Sequence, residues 1–291
     1  MTELALMEPT TIGEATDMLR RHGDDAKVIG GGTALVLLMQ QGLVRPSVLV
    51  AVRQLEDVEG WDRITQVDGA VHIGAGTALA DVAGSDIVRS ATPTLSRAAS
   101  LVGNVRVRNA ASVGGALAEA DYAADLPAVL VNLGAEMVLS DGRTSRRVAA
   151  GEFFVDYFTT ALASDELVTG LVVPQPPDGH QASYVKFSSR SAEDRPCVVA
   201  TAAVERDDGA IRSIDVVVGA IGPTPFRSLE PLATATGRRL DGPTIATVAA
   251  GYAESCDPLD DIRGSGWYRR QVVKVLVSRA LSALVPGGCD D

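Results

Sequence analysis

The sequence predicts an α+β protein with more than one domain. Helix-compatible apolar spacings alternate with short β-branched runs before a proline-rich segment, and three consecutive strand patterns follow that segment. A chain of 291 residues with 46% hydrophobic content is long enough for two cores. We therefore predict a first domain over residues 1–175, made of two α/β subdomains of about 1–55 and 56–175. A second domain, over residues 180–286, combines a three-stranded antiparallel sheet with helices.

Composition restricts the class of partner. A formal net charge of -11 argues against nucleic acid or an anionic membrane, because both attract basic surfaces. The N-terminus has no positively charged region before an apolar one, and no run of about eighteen apolar residues occurs. These features predict a cytoplasmic protein without a membrane span.

The cysteines argue against a metal centre on this chain. Cys197, Cys256 and Cys289 are far apart, with no Cys-x-x-Cys pattern, and we predict small buried or incidental thiols. A [2Fe–2S] cluster ordinarily needs four protein ligands, so any iron–sulfur centre is expected on another subunit.

The first unit opens with a helix over residues 11–22, because Thr11 and Glu14 have the spacing of a capping box and Gly23 ends the apolar pattern. The other elements predicted here are strands at 26–29 and 48–52 and a helix at about 33–41.

A glycine-rich segment in this unit has the pattern of a strand, a tight turn and a helix. It is Val28-Ile29-Gly30-Gly31-Gly32-Thr33-Ala34-Leu35-Val36-Leu37-Leu38-Met39. Because three residues lack side chains where the helix begins, we expect a ligand to approach backbone N–H groups that have no intrahelical partner. Such a place suits a phosphate, although glycine is tolerated at any strand-to-helix turn.

Two common phosphate motifs are excluded. The Rossmann fingerprint requires a third glycine where Leu35 stands and an acidic residue after the next strand, which here runs into Arg53. The P-loop requires a lysine after the glycines, and none follows.

The middle of the chain contains a second glycine-rich turn, with Ser112, Gly114 and Gly115. Asp125 stands where it could cap the apolar helix that follows, which is its structural alternative to a role in binding. The elements predicted around this turn are a strand at 71–76, helices at 78–89, 93–102 and 126–133, a hairpin at 136–149 and a strand at 167–173.

Three prolines in four positions, Pro174, Pro176 and Pro177, predict a linker, since proline neither continues a helix nor sits inside a sheet. The elements predicted beyond it are strands at 183–189, 197–206 and 211–220 and helices at about 231–237, 243–254 and 267–284.

Two glycine turns about eighty residues apart could bind the two halves of one ligand that contains a diphosphate, such as a dinucleotide. Four motifs occur in order along nearly the whole chain. Together they resemble the FAD-binding subunit of the molybdenum hydroxylases. This family includes the medium subunit of carbon monoxide dehydrogenase and the flavin segment of xanthine dehydrogenase. The motifs are residues 28–35, Arg108-Asn109-Ala110-Ala111-Ser112-Val113-Gly114-Gly115-Ala116, Tyr184-Val185-Lys186 with Arg190, Asp194 and Pro196, and Asp261-Ile262-Arg263-Gly264-Ser265-Gly266-Trp267-Tyr268-Arg269.

The resemblance implies a vanillyl-alcohol-oxidase-like fold in which FAD contacts the backbone of both turns, with Asp125 as a polar partner, Lys186 near the flavin, and Val102 and Val168 lining the cofactor. The implied cofactor-binding residues are Val28, Ile29, Gly30, Gly31, Gly32, Thr33, Ala34, Leu35, Val102, Ser112, Val113, Gly114, Gly115, Ala116, Asp125, Val168 and Lys186. No catalytic residue and no metal ligand is implied. We hypothesise that Lys186 stabilises negative charge on reduced flavin; its alternative is an ordinary lysine at a strand end.

The chain departs from the family pattern at two positions. Ala116 stands where the family usually has Asn, so the hydrogen bond of that amide to the cofactor is missing or moved. Tyr122 replaces a usual Pro; it either packs or shields the flavin, and we favour packing.

The function implied is electron transfer in a heteromeric enzyme. A large subunit would carry the molybdenum cofactor, a small subunit the [2Fe–2S] clusters, and FAD on this chain would pass electrons to NAD, a quinone or another acceptor, in a dimer of heterotrimers. The alternatives are a stand-alone FAD reductase and a degenerate scaffold without flavin, which the Ala116 departure suggests.

Overall fold

The computed structural model describes residues 4–285. Its first unit is a three-stranded parallel sheet with the order β1-β3-β2 and two helices, of which the first packs against β2 and β3. The predicted capping box at Thr11 and Glu14 is confirmed, and Gly23 ends the first helix with a positive φ of 53°. The elements are β1 (Ala5–Met7), α1 (Ile12–His22), β2 (Ala26–Ile29), α2 (Leu35–Gln40) and β3 (Val48–Ala51).

A five-stranded antiparallel sheet with the order β4-β5-β10-β6-β7 forms the second unit, together with seven helices and a small two-stranded sheet of β8 and β9 among the described residues. The elements are β4 (Ile64–Val67), β5 (Ala70–Gly74), α3 (Leu79–Gly84), α4 (Asp86–Ala91), α5 (Pro93–Ser100), α6 (Val105–Ala110), α7 (Val113–Glu119), α8 (Leu126–Asn132), β6 (Glu136–Ser140), β7 (Ser145–Ala149), α9 (Ala150–Phe153), β8 (Phe154–Asp156), β9 (Thr159–Thr160) and β10 (Leu167–Pro174).

Two predictions are corrected in this unit. The single helix predicted over residues 78–89 is two helices, because Ser85 is extended and its side chain accepts a hydrogen bond from the N–H of Val88 to start α4. Pro174, predicted in a linker, is the last residue of β10 and pairs with Ala70, where the end of the strand makes a missing N–H harmless.

The C-terminal part is the predicted three-stranded antiparallel sheet, with the order β11-β12-β13, followed by three helices. Alternate residues of its strands enter different cores, as the two-residue period of a strand requires. Val198 and Val218 pack with the C-terminal helices, whereas Val199 and Val217 join the core of the preceding units. The elements are β11 (Gln181–Phe187), β12 (Val198–Asp207), β13 (Ala210–Gly219), α10 (Leu229–Ala235), α11 (Gly242–Ser255) and α12 (Gly266–Ser282).

The cysteines within the described residues are buried, as predicted. Cys197 and Cys256 are both free thiols, and burial raises the pKa of each. Cys289 lies outside the described residues. No helix in residues 4–285 combines the length and apolarity needed to span a membrane.

Candidate functional site

The first glycine turn, residues 30–34, connects β2 to α2 at the carboxyl edge of the parallel sheet. The N–H of Val52 donates to the Ile29 carbonyl at 3.1 Å, which extends the β2–β3 pairing up to the turn. Within the described residues, the N–H groups of residues 30–34 donate to no other backbone group. All five residues are half-buried or exposed. The turn therefore presents a set of unpaired donors that an anionic oxygen can accept from.

The three glycines of this turn are required by the protein itself. A Cβ on Gly31 would overlap the carbonyl oxygen of Ala110, and one on Gly30 would lie 2.8 Å from Ser112 Oγ. Gly32 has a φ of +71°, which favours glycine. The missing side chains, expected from the sequence to make room for a ligand, also make room for the protein, because Gly30 and Gly31 lie against the second glycine turn. The two turns are therefore in direct contact.

The second turn differs from the first, because its N–H groups are satisfied by the protein. Val113 donates to the Thr77 carbonyl at 2.9 Å and Gly114 to the Ala75 carbonyl at 2.8 Å. Gly115 donates to Ser112 Oγ at 3.2 Å. The N–H of Ala116 donates to the Ser112 carbonyl at 3.0 Å. Residues 113–116 therefore present no unpaired backbone donor.

Close packing explains one glycine of the second turn but not the other. A Cβ on Gly114 would lie 2.7 Å from the Cβ of Ala75, so this position must stay small. Gly115 is exposed, and a Cβ there would meet only Ser112 Oγ, at 3.0 Å. Ala116 is half-buried and packs against the core. Gly115 therefore leaves exposed surface on the second turn, the turn that contacts residues 30 and 31.

Asp125 and Lys186 form a buried ion pair, with 3.1 Å between Nζ and Oδ1. Asp125 Oδ1 also accepts from the hydroxyl of Tyr184 at 2.6 Å. Its side chain makes no capping bond to α8, so the capping alternative is wrong. Burial raises the pKa of Asp125, against the opposing effects of Lys186 and Tyr184. Burial and the neighbouring carboxylate place the pKa of Tyr184 well above its usual value.

This ion pair also fixes the chain beside Val102. Lys186 Nζ donates to the Leu101 carbonyl at 2.7 Å, and Arg108 Nη1 donates to the Val102 carbonyl at 3.0 Å. Lys186 thus joins β11 to the end of α5. Val168 is 6% exposed on β10, the strand against which α7 packs.

The fourth motif links the C-terminal part to the segment after the second turn. Asp261 accepts from Tyr122 Oη at 2.8 Å, Arg263 Nη1 at 2.8 Å and Arg269 Nη2 at 2.6 Å. Burial would raise the pKa of Asp261, but the bonds from Tyr122 and Arg263 and the charge of Arg269 lower it to about 2. Arg269 is fully buried.

Tyr122 also packs edge-on against Tyr157, with ring centroids 5.2 Å apart, which agrees with the packing role favoured from the sequence. The Asp-x-Arg-Gly-Ser pattern is interpreted from the sequence only as a family signature. Its spacing also indicates two ion pairs, because an acid two residues before one arginine and eight before another can bind both.

Comparisons with known proteins agree with this architecture. Residues 2–176 match the family model described as "FAD binding domain in molybdopterin dehydrogenase", and residues 183–284 match "CO dehydrogenase flavoprotein C-terminal domain". The chain is 32% identical to the glyceraldehyde dehydrogenase medium chain of Sulfolobus acidocaldarius, over 96% of this chain and 97% of that one. It is 29% identical to the carbon monoxide dehydrogenase medium chain of Afipia carboxidovorans, over 94% and 93%.

A solved structure of carbon monoxide dehydrogenase from Hydrogenophaga pseudoflava, which lacks the Mo-pyranopterin moiety of its cofactor, superimposes with a TM-score of 0.91 at 28% identity, covering 97% of this chain and 96% of that chain. The fold class predicted from the sequence is confirmed. The chain belongs to the FAD-binding family of the molybdopterin dehydrogenases, as an oxidoreductase subunit of the molybdenum hydroxylase type.

Proposed function

We propose that this chain is the electron-transfer subunit of a heteromeric molybdenum hydroxylase. Bound FAD supplies the redox chemistry that connects iron–sulfur clusters of a partner subunit to an external acceptor, whether NAD, a quinone or another carrier. The protein supplies binding, orientation and exclusion of water. The observation that carries this proposal is the row of unpaired N–H groups at residues 30–34, in a family that binds FAD.

The residues of this turn fit a diphosphate. Unpaired backbone donors in a turn form a concave site for anionic oxygens, and they need no side-chain charge to do so. The second turn complements this with the hydroxyl of Ser112 and the open surface at Gly115. We therefore assign the diphosphate to residues 30–34 as donors and residues 112–116 as the opposing wall. On this assignment, alanine in place of asparagine at position 116 weakens FAD binding only slightly, because the first turn provides the donors.

Asp125 and Lys186 have a different role in this proposal. The Lys186 ammonium is 5% exposed and faces a carboxylate, so its charge is compensated inside the protein. Its bond to the Leu101 carbonyl positions the segment that carries Val102. We infer that the pair orients the wall of the flavin site, in place of the free charge first hypothesised for Lys186.

The chain has three cysteines, too few for the usual four ligands of an iron–sulfur cluster, so a cluster that feeds electrons to this chain belongs to another subunit. One surface feature supports partner subunits over a stand-alone reductase. Helix α2 is apolar with no buried residue, and Val36, Leu37 and the following Leu43 are 41%, 48% and 69% exposed. Apolar surface of this kind is typical of a protein interface. We propose that a small iron–sulfur subunit and a large molybdenum-cofactor subunit assemble with this chain, as a dimer of heterotrimers.

Purification of the chain with its natural partners tests the proposal. We expect flavin absorbance in the visible range and two co-purifying subunits. A yellow protein without partners would favour the stand-alone reductase, and a colourless protein that takes up no added FAD would favour the degenerate scaffold. Leu43→Glu is expected to reduce co-purification, while Leu229→Glu, which changes a residue that is 71% exposed at the start of α10, is the matched control.

A further inference from the structure

Arg53 lies at the edge of the first glycine turn. It follows Val52, whose N–H bonds to the carbonyl of Ile29, so the end of β3 lies beside the end of β2. Arg53 Nε donates to the Gly30 carbonyl oxygen at 3.2 Å. The side chain is otherwise exposed and forms no ion pair with an acidic residue among residues 4–285. The guanidinium is therefore fixed at one nitrogen, while its two terminal nitrogens stay available.

We propose that Arg53 is a further diphosphate-binding residue, which no family motif in this chain includes. The inference rests on the proposed placement of the diphosphate at residues 30–34. The Nε–H bonds the carbonyl of Gly30 and so fixes the guanidinium beside the donors of the turn. The terminal nitrogens supply a positive charge to the phosphate oxygens that the backbone N–H groups bind.

The negative net charge of the chain explains why a cation at this turn would strengthen binding of the diphosphate. A formal net charge of -11 repels a ligand that carries a diphosphate, and backbone donors contribute partial charges only. A guanidinium can bond a carbonyl through one nitrogen and an anionic oxygen through another, because its donors form a rigid planar fork. A lysine has one charged nitrogen on a flexible chain and cannot reproduce this geometry.

The test compares Arg53→Gln with Arg45→Gln. Arg45 is also exposed and belongs to the same unit, but it lies past the opposite end of α2, next to Gly42. Both variants remove one positive charge, and Arg53→Gln also changes the donor to the Gly30 carbonyl, a contribution that does not depend on salt. The FAD dissociation constant of the full chain is measured by flavin fluorescence at low and high salt, with the melting temperature as a check of folding. Arg53→Lys, which keeps the charge without the fork, is the third variant.

We expect Arg53→Gln to raise the FAD dissociation constant about tenfold at low salt, or about 1.4 kcal/mol, and less at high salt. Arg45→Gln should stay within about twofold, and Arg53→Lys should fall between them. Equal effects of Arg53→Gln and Arg45→Gln would overturn the proposal, as would a loss at Arg53 that does not depend on salt, because a purely structural role would not respond to screening. If the unmodified chain binds no FAD, the proposed function fails first, and the assignment of Arg53 fails with it.

Discussion

The two glycine turns resemble each other in sequence and differ in what their backbone offers. Each combines adjacent glycines with a hydroxyl residue at the start of a short apolar helix, but the glycines at 30–32 precede α2, whereas Gly114 and Gly115 lie in the first turn of α7. In the first turn, the N–H groups of residues 30–34 are unpaired within the described chain, whereas in the second the N–H groups of residues 113–116 all donate to protein acceptors. The first turn can bind an anion through its backbone, and the second can mainly support it.

The difference shows that paired glycines indicate close approach without identifying what approaches. At Gly31 the approaching group is the carbonyl of Ala110, and at Gly114 it is the methyl group of Ala75. Among the glycines of the two turns, Gly115 alone is exposed. The two turns form one site, because the glycines of the first turn allow it to pack against the second turn. In this arrangement the N–H groups of the first turn stay exposed.

Gly31→Ala should break this arrangement and have the largest effect. The new methyl group would overlap the Ala110 carbonyl, and neither backbone can yield without moving its turn. Overpacking of this kind costs about 1–3 kcal/mol, and displacement of the donors should weaken FAD binding at least about tenfold. Calorimetry and flavin fluorescence measure the two effects.

The control for this substitution is Gly151→Ala, because a Cβ on Gly151 meets no atom within 4 Å. Both measured quantities should stay near their original values in the control. A Gly31→Ala variant that binds FAD normally would show that the contact between the turns is dispensable, contrary to the comparison above.

Gly114→Ala should separate stability from binding. Its methyl group would lie 2.7 Å from the Cβ of Ala75 inside the core, so we expect a loss of about 2 kcal/mol and a fall in melting temperature of roughly 5 °C. FAD affinity of the folded variant should change less than about threefold, because the unpaired donors belong to the first turn. A large loss of affinity without a loss of stability would mean that the second turn binds the diphosphate directly.

Ser112→Ala should have a smaller effect on stability. The hydroxyl accepts a hydrogen bond from the Gly115 N–H at 3.2 Å and caps α7. Loss of such a cap costs about 1 kcal/mol. Ser112→Thr keeps the hydroxyl and is the matched control for thermal unfolding. If both variants unfold at the same temperature, the cap does not contribute and the second turn is supported by packing alone.

Much of this fold could be predicted from the sequence. Helix α1 with its capping box, the hairpin of β6 and β7 and the C-terminal sheet follow from local chemistry and from the two-residue period of strands. The short helices α6 and α7 could not, because two glycines in α7 lower its helix propensity and tertiary contacts hold it in place. Strand β1 is a short edge strand whose pairing depends on β3, which lies far from it in the sequence, since Ala5 pairs with Val48.

The site was predictable to a lesser degree. The position of the first turn follows from its glycines in the sequence. The reason for the glycines does not follow, because the contact of Gly31 with Ala110 joins residues about eighty positions apart. Asp125 looked like a helix cap since it precedes α8, and only the fold shows Lys186 and Tyr184 reaching it from β11. The role of Arg53 depends in the same way on the pairing of β2 with β3.

Gly115→Ala should have the smallest effect and sharpens the comparison most, because Gly115 is the one glycine of the second turn that protein packing does not explain. Alanine favours a helix over glycine by up to about 1 kcal/mol, and the close contact with Ser112 Oγ offsets part of this gain, so the melting temperature should move by less than about 2 °C. If the open surface at Gly115 faces the ligand, the added methyl group should raise the FAD dissociation constant about threefold. An unchanged dissociation constant would remove the second turn from the binding surface and leave it a support for residues 30–34 alone.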